Sequence, residues 1–244
     1  MPFDICFEIV KNGDARIITS RDLAMYDFLC HGFGTRSVNH KQNFCKKDFP
    51  YAPERLFTAT QVHGNKVVVI DNTSQKKPIC CDGMVTMNSQ IALAVRTADC
   101  IPILILDPVK KIIGAVHAGW RGTVLGITAK AIEVLVREFY SDPADIKAAI
   151  GPSIGPCCYE VDNSVFEAVT DEKLKKEIFS KSRNRGRLMM DLRKANLIQM
   201  KERGMMEANI VIVPLCTACH NDLFFSYRKE GSKAGRQLNF IMLS

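Results

Sequence analysis

Hydrophobic positions in the first half of the chain fall in short runs rich in Val and Ile, bracketed by Gly, Asn, Asp and Pro. That punctuation predicts strands over 3–10, 66–70, 91–96, 101–106 and 112–117. The runs at 66–70 and 101–106 are continuous rather than alternating, so both faces of each strand are expected to be buried. Later the period changes. Val124, Leu125, Thr128, Ala131, Ile132, Leu135, Val136 and Phe139 recur at helical spacing, which predicts a helix over 123–140 capped by Thr123. Further helices are expected over 164–179 and 191–203, the latter ending before Gly204, and late strands over 209–214 and 237–243. Strands early and helices late, without strict alternation, predict an α+β fold with mixed β-sheets flanked by helices. No repeat or Ser/Gly/Pro-rich linker divides the sequence, so 1–244 is expected to be a single domain.

Composition narrows the class of protein. With 47% hydrophobic and 24% charged residues the chain is an ordinary globular sequence, not a disordered or fibrous one. A net charge of +7 favours anionic partners such as phosphates, but it is too small to indicate nucleic acid by itself. The basic run Lys181-Ser182-Arg183-Asn184-Arg185-Gly186-Arg187 has no interleaved aromatics, so it reads as a solvated loop between helices. The N-terminal Met1-Pro2-Phe3-Asp4 lacks the basic start of a secretory signal, and no apolar stretch is long enough to span a bilayer. The ten cysteines are therefore expected to be reduced thiols of a cytoplasmic protein.

Histidine is scarce, with only His31, His40, His63, His117 and His220. Three segments pair ligand-type side chains with turn chemistry at predicted strand ends: Thr60-Gln61-Val62-His63-Gly64, Arg96-Thr97-Ala98-Asp99-Cys100 and Ala115-Val116-His117-Ala118-Gly119-Trp120-Arg121-Gly122. Two imidazoles and a thiolate make a three-ligand set of the catalytic zinc kind, with a fourth position open. The same residues also read as a Cys100 nucleophile with a histidine base, or as buried structural side chains. Residue type alone leaves these open; metal content separates the first two.

Together with Cys81-Asp82-Gly83-Met84-Val85-Thr86, Ile150-Gly151-Pro152-Ser153-Ile154, His31-Gly32-Phe33-Gly34-Thr35-Arg36, Cys216-Thr217 and Phe224-Phe225-Ser226-Tyr227-Arg228, these motifs resemble the YfiH-type laccase-domain family, in the family's order and over essentially the whole chain. The resemblance implies a zinc ion on His63, Cys100 and His117. It implies phosphorolysis of adenosine, inosine, guanosine and methylthioadenosine to free base and sugar 1-phosphate, with adenosine deaminase activity. Peptidoglycan editing, the hydrolysis of misbuilt nucleotide-linked muropeptide precursors, is the alternative activity attached to the family. A non-catalytic zinc or basic binding module is a third reading. On the enzyme reading Asp82 and Asp99 are the candidate proton-transfer carboxylates, and Gln61, Arg36, Arg121 and Arg228 the candidate substrate and phosphate contacts. The partners implied are purine nucleosides and inorganic phosphate, with no nucleic acid or membrane, and the chain as monomer or homodimer.

Two departures from the family pattern fall on the substrate side: the short stretch 37–55, and Tyr227-Arg228-Lys229 where many members carry His-Arg-Arg. Five histidines cannot furnish the His-rich trinuclear cluster of a multicopper oxidase, so laccase chemistry is not expected, though copper is an alternative metal for such ligands. Gly119 and Gly122 are expected to place the long helix's N-terminus beside His117 as a phosphate cradle, and Trp120 to serve the core. Cys216-Thr217-Ala218-Cys219-His220 has c-type haem spacing, but haem attachment would need export. A second metal on Cys216, Cys219 and His220 is the alternative there. The cysteines of that segment, with Cys80-Cys81 and Cys157-Cys158, read as reduced packing residues.

Overall fold

A computed structural model describes residues 6–12, 15–38, 55–71 and 79–244. The start of the first predicted strand, His40 and most of the shortened 37–55 stretch lie outside the described residues.

In chain order the first half contains β1 (Phe7–Asn12), β2 (Ala15–Ser20), α1 (Arg21–Ala24), β3 (Leu29–Gly34), β4 (Arg55–Thr58) and β5 (Val67–Val69). These are followed by β6 (Gly83–Thr86), β7 (Ile91–Thr97), β8 (Ile101–Asp107) and β9 (Ile112–Ala118). Then come α2 (Trp120–Val124), α3 (Ile127–Phe139), β10 (Lys147–Ile150), β11 (Glu160–Val161), α4 (Asn163–Ala168) and α5 (Glu172–Ile178). The chain ends with β12 (Phe179–Lys181), β13 (Leu188–Met190), α6 (Leu192–Glu202), β14 (Ile210–Ile212), α7 (Tyr227–Glu230) and β15 (Gln237–Leu243). The fold is α+β, as the order of runs predicts.

Two six-stranded mixed sheets carry it, ordered β1-β2-β3-β15-β7-β4 and β14-β10-β8-β9-β6-β5, beside a small sheet β11-β13-β12. The alternation of side chains along β8 shows how the layers stack. Leu104 and Leu106 pack with Phe33, Leu93 and Ile241 of the first sheet, whereas Ile101, Ile103 and Ile105 pack with Ala131, Leu135 and Met200 of the helices. A strand covered by a sheet on one side and helices on the other must be apolar at every position. The continuous run at 101–106 is the consequence.

The expected helix over 123–140 is two helices. Gly126 adopts φ 76° between α2 and α3, so the break falls where the side-chain period gives no sign of it. Thr123 is therefore no cap; it lies buried in α2, and its hydroxyl accepts from Asn196 Nδ2 at 3.1 Å. The helix next to His117 is the five-residue α2, and the N-terminus of the long helix lies further on. The expected helix over 164–179 is likewise divided, because Asp171 caps a new start by accepting from Lys173 and Leu174 N–H. The basic run 181–187 joins β12 to β13, two paired antiparallel strands, rather than two helices. Among the described residues no helix is long and apolar enough to cross a membrane.

Candidate active site

The chain crosses from the first sheet to the second between β7 and β8, and Cys100 stands at that crossing. It directly precedes β8, whose first residue, Ile101, pairs with Ala118 of β9. His117 is the penultimate residue of β9. Asp82 directly precedes β6, and the β6–β9 register puts its carbonyl on the His117 N–H at 2.7 Å. The loop between β4 and β5 brings His63 over the same strand ends. The ligand atoms of His63, Cys100 and His117 lie within 4.8 Å of one another, the Cys100 Sγ and His63 Nε2 at 3.9 Å. The two imidazole rings meet edge to face at 4.8 Å.

One carboxylate organises this geometry. Asp82 Oδ1 accepts from the His63 N–H at 2.9 Å and bonds His117 Nδ1 at 2.8 Å, and Oδ2 accepts from Gly64 and Val62 N–H at 2.8 and 3.2 Å. Burial alone would raise the Asp82 pKa; the bonds from His117 and the loop N–H groups outweigh it and hold the carboxylate below its ordinary range. With Nδ1 committed to Asp82, His117 presents Nε2 to the other two ligands. His63 itself has φ 59° and Asp99 φ 83°, left-handed conformations that cost about 1–3 kcal/mol each and persist where surrounding bonds over-determine them. Gly119 must lack a side chain, because a Cβ there would stand 2.8 Å from His63 Cδ2 and 3.2 Å from Cys100 Sγ.

The donor set suits a cation. Burial would raise the Cys100 thiol, yet hydrogen bonds and charge from His117 and His63 bring it down to about 6. Burial would lower His117, yet Asp82 and Cys100 bring it up to about 9. A thiolate thus holds a proton on a buried imidazole, and a divalent ion can replace that proton. A nitrogen and a sulfur sharing a tetrahedral zinc ion lie about 3.5 Å apart, close to the observed 3.9 Å.

The three ligands open on a cleft of about 960 Å³. Its walls carry Asp99, Gln61, Trp120, Tyr159 and the cationic side chains of Arg96, Arg121, Arg228, Lys233 and Arg236. Arg121 stacks on Trp120 at 4.5 Å, so the tryptophan supplies a cleft wall as well as packing against the core. Asp99 Oδ1 accepts from the Thr217 hydroxyl and Oδ2 from the Arg228 N–H, each at 2.6 Å. The Arg228 guanidinium donates to the carbonyls of Cys158 and Glu160 at 2.9 and 2.8 Å. Gln61 faces the cleft but spends both ends of its amide on the Arg96 backbone, each at 2.8 Å.

Two expectations change. Asp82 lies behind His117 and does not line the cleft, so its carboxylate meets the imidazole and the 62–64 loop rather than the open space. Arg36 lies outside the cleft altogether: it donates to the carbonyls of Asn221 and Phe224, pairs with Glu230 and stacks on Phe225. Lys233, Arg236, Arg96 and Tyr159 were not anticipated; Arg96 adjoins the Thr97–Cys100 motif, and Tyr159 follows Cys157-Cys158. The remaining described histidines stand apart. His31 is buried and accepts from the Ser20 N–H at 3.0 Å, and His220 joins neither group of donors close enough to share an ion. Cys80, Cys157 and Cys219 are exposed and so are not packing residues.

A family model described as multi-copper polyphenol oxidoreductase laccase matches residues 32–244. The purine nucleoside phosphorylase YlmD of Bacillus subtilis is 32% identical over 75% of this chain and 69% of its own. The purine nucleoside phosphorylase LACC1 of Homo sapiens is 34% identical over 78% of this chain, which spans only 44% of that longer protein. Among solved structures, the hypothetical protein YfiH of Bacillus licheniformis is similar with a TM-score of 0.85 at 26% identity, covering 98% of this chain and 99% of the other. YlmD of Geobacillus stearothermophilus is similar with a TM-score of 0.83 at 25% identity, with the same coverage.

Proposed function

Because the chain belongs to the multi-copper polyphenol oxidoreductase laccase family, and relatives of similar sequence carry the name purine nucleoside phosphorylase, we propose that it is a zinc-dependent purine nucleoside phosphorylase with adenosine deaminase activity. One observation carries the reading: a His/Cys/His donor set opens on a single cleft that also holds several arginines and aromatic rings. Among the described residues no histidine cluster suitable for a trinuclear copper centre accompanies it.

In phosphorolysis a phosphate oxygen bonds to C1′ of the ribose as the C1′–N9 bond breaks. The bonding pair leaves on the purine, and the proton of hydrogen phosphate balances the free base. Arg121, with its guanidinium face on Trp120, and the neighbouring Arg228 and Arg236 supply the positive field that binds the phosphate and opposes charge build-up. Tyr159 keeps its phenolic proton, since burial and the nearby Cys100 charge push its pKa up, and it donates a hydrogen bond to the purine. Asp99, fixed by Thr217 and Arg228, retains acceptor capacity for a substrate hydroxyl or N–H. His63, Cys100 and His117 would hold the zinc ion, which when bound supplies Lewis acidity and an open fourth position for activating water in deamination. Asp82 fixes the His117 tautomer throughout.

The test is chromatography of products from adenosine with and without inorganic phosphate, using the protein and its Cys100→Ala variant. Adenine with ribose 1-phosphate forming only with phosphate, and inosine in either case, all lost in the variant, is the expected result. No product, or equal product from both proteins, overturns the reading.

A further inference from the structure

Away from the His/Cys/His set, Cys157, Cys158, Cys216 and Cys219 bring four thiols within 4.8 Å of one another. The Cys219 Sγ lies 3.6 Å from that of Cys157 and 3.4 Å from that of Cys158. Four sulfurs about 2.3 Å from a shared tetrahedral ion stand about 3.8 Å apart, so these spacings already approximate an empty thiolate cage. They also far exceed a disulfide bond length of about 2.05 Å.

Three further features fit a metal better than chance crowding. Cys216-Thr217-Ala218-Cys219 is a Cys-x-x-Cys hook, the local geometry of structural zinc sites, and its turn is closed by the His220 N–H on the Cys216 carbonyl at 2.9 Å. The Gly155 N–H donates to the Cys216 Sγ at 3.2 Å, a bond that stabilises a thiolate ligand from outside the coordination shell. Behind the sulfurs lies the buried Arg193, held by Ser153 Oγ and by the Ser153 and Leu215 carbonyls at 2.6–2.9 Å. A buried positive charge offsets the excess negative charge of four thiolates on a dication. Cys157 and Cys219 are exposed, which leaves an entry path.

We propose that Cys157, Cys158, Cys216 and Cys219 form a second, structural zinc site that clips the 155–160 segment to the 216–220 segment. The two strands of chain already meet through the Ser153–Cys216 bridge. Both segments build the cleft wall: the Cys158 carbonyl accepts from Arg228, and Thr217, between two of the ligands, donates to Asp99. An ion in the cage would therefore fix Arg228 and Asp99 against the first metal site without touching substrate.

The experiment counts metal in the full chain by mass spectrometry, for the protein as purified and for His63→Ala and Cys219→Ser. Two zinc ions per chain are expected in the first and one in each variant. Replacing zinc by Co²⁺ in His63→Ala should give near-ultraviolet thiolate charge-transfer absorption of four-thiolate intensity, about four times what the single thiolate Cys100 of the first site could give, and that absorption should fall in the double variant His63→Ala with Cys219→Ser. If Cys219→Ser does not fold, X-ray absorption at the zinc edge of His63→Ala replaces it, with an all-sulfur shell expected. A single ion lost with His63, an ion other than zinc, persistence of the second ion in Cys219→Ser, or a disulfide among these cysteines in peptide mapping each overturns the proposal.

Discussion

Replacing Asp82 by Asn separates the orienting carboxylate from the donors it orients. The side chain is fully buried, and its two oxygens accept four hydrogen bonds: His63 N–H and His117 Nδ1 on one, Gly64 and Val62 N–H on the other. An amide of the same shape has one oxygen and one NH₂, so two donors must face another donor whichever way it turns. At about 1.5–3 kcal/mol for each hydrogen bond to a charged acceptor, the loss is about 3–6 kcal/mol, divided between folding and metal binding. If NH₂ faces His117, the imidazole must take its other tautomer and Nε2 can no longer donate a lone pair. If NH₂ faces Gly64 and Val62, the loop that carries His63 loosens instead. Either way the expected outcome is a fall in zinc affinity of about 10–100-fold, read by competition with a chromophoric chelator at fixed pH. Asp107→Asn is the control. Asp107 is equally buried and caps Val109 and Lys110 N–H with Oδ1 at 2.9 and 2.8 Å, at the far end of β8. It should lose stability in urea titration and keep its zinc affinity. Affinity within twofold of the parent for Asp82→Asn, or an equal loss in Asp107→Asn, would refute the reasoning.

His31 gives a pH signature. Burial depresses its pKa to about 4 from 6.5, so the folded state prefers the neutral ring, whose Nε2 accepts the Ser20 N–H. That stability is whole above pH 6.5 and is lost as pH falls towards 4, with about 2 kcal/mol gone by pH 5. His31→Gln keeps an acceptor for the Ser20 N–H without titrating, so in urea titrations it should lose less stability between pH 7.5 and pH 5 than the parent; equal losses would exclude His31 as the source. Gly119→Ala should displace His63 and Cys100 and weaken zinc at least tenfold while the thermal midpoint moves by only a few degrees, as checked by the same chelator competition and by calorimetry. Arg121→Ala should raise the KM for phosphate about tenfold, whereas Arg36→Met should leave it unchanged and cost about 1–3 kcal/mol of stability. A reversed pattern in steady-state kinetics would return Arg36 to the phosphate site.

What was legible along the chain follows from which forces leave a local trace. β8 is legible because burial on both faces writes an unbroken apolar run, β15 because its last four residues, Phe240-Ile241-Met242-Leu243, do the same, and α6 because Asp191 and Gly204 mark its ends. β10 escapes notice: Lys147-Ala148-Ala149-Ile150 carries no strand preference and is extended only because β8 and β14 flank it. The break at Gly126 was invisible to periodicity because α2 and α3 both contribute residues to the same core. At the site the ligand types stand in the sequence, but their partners are set by register. That Asp82 meets His117 depends on Gly83 pairing with Val116, a contact between residues more than thirty positions apart. The same holds for the four thiols, where two adjacent cysteines and a distant Cys-x-x-Cys turn look like packing until Ser153 and Cys216 pair. Arg36 shows the converse. A guanidinium satisfies phosphate oxygens and main-chain carbonyls with the same fork, so its presence in a motif leaves its partner undecided. The helix after Ser226 brings Glu230 to Arg36, which already meets the Phe224 carbonyl just before it, while Arg228 on the same helix is turned to the cleft wall. Which of the two arginines lines the cleft is decided by that short turn of chain, and the same turn ties the Arg228 N–H to Asp99, the neighbour of Cys100.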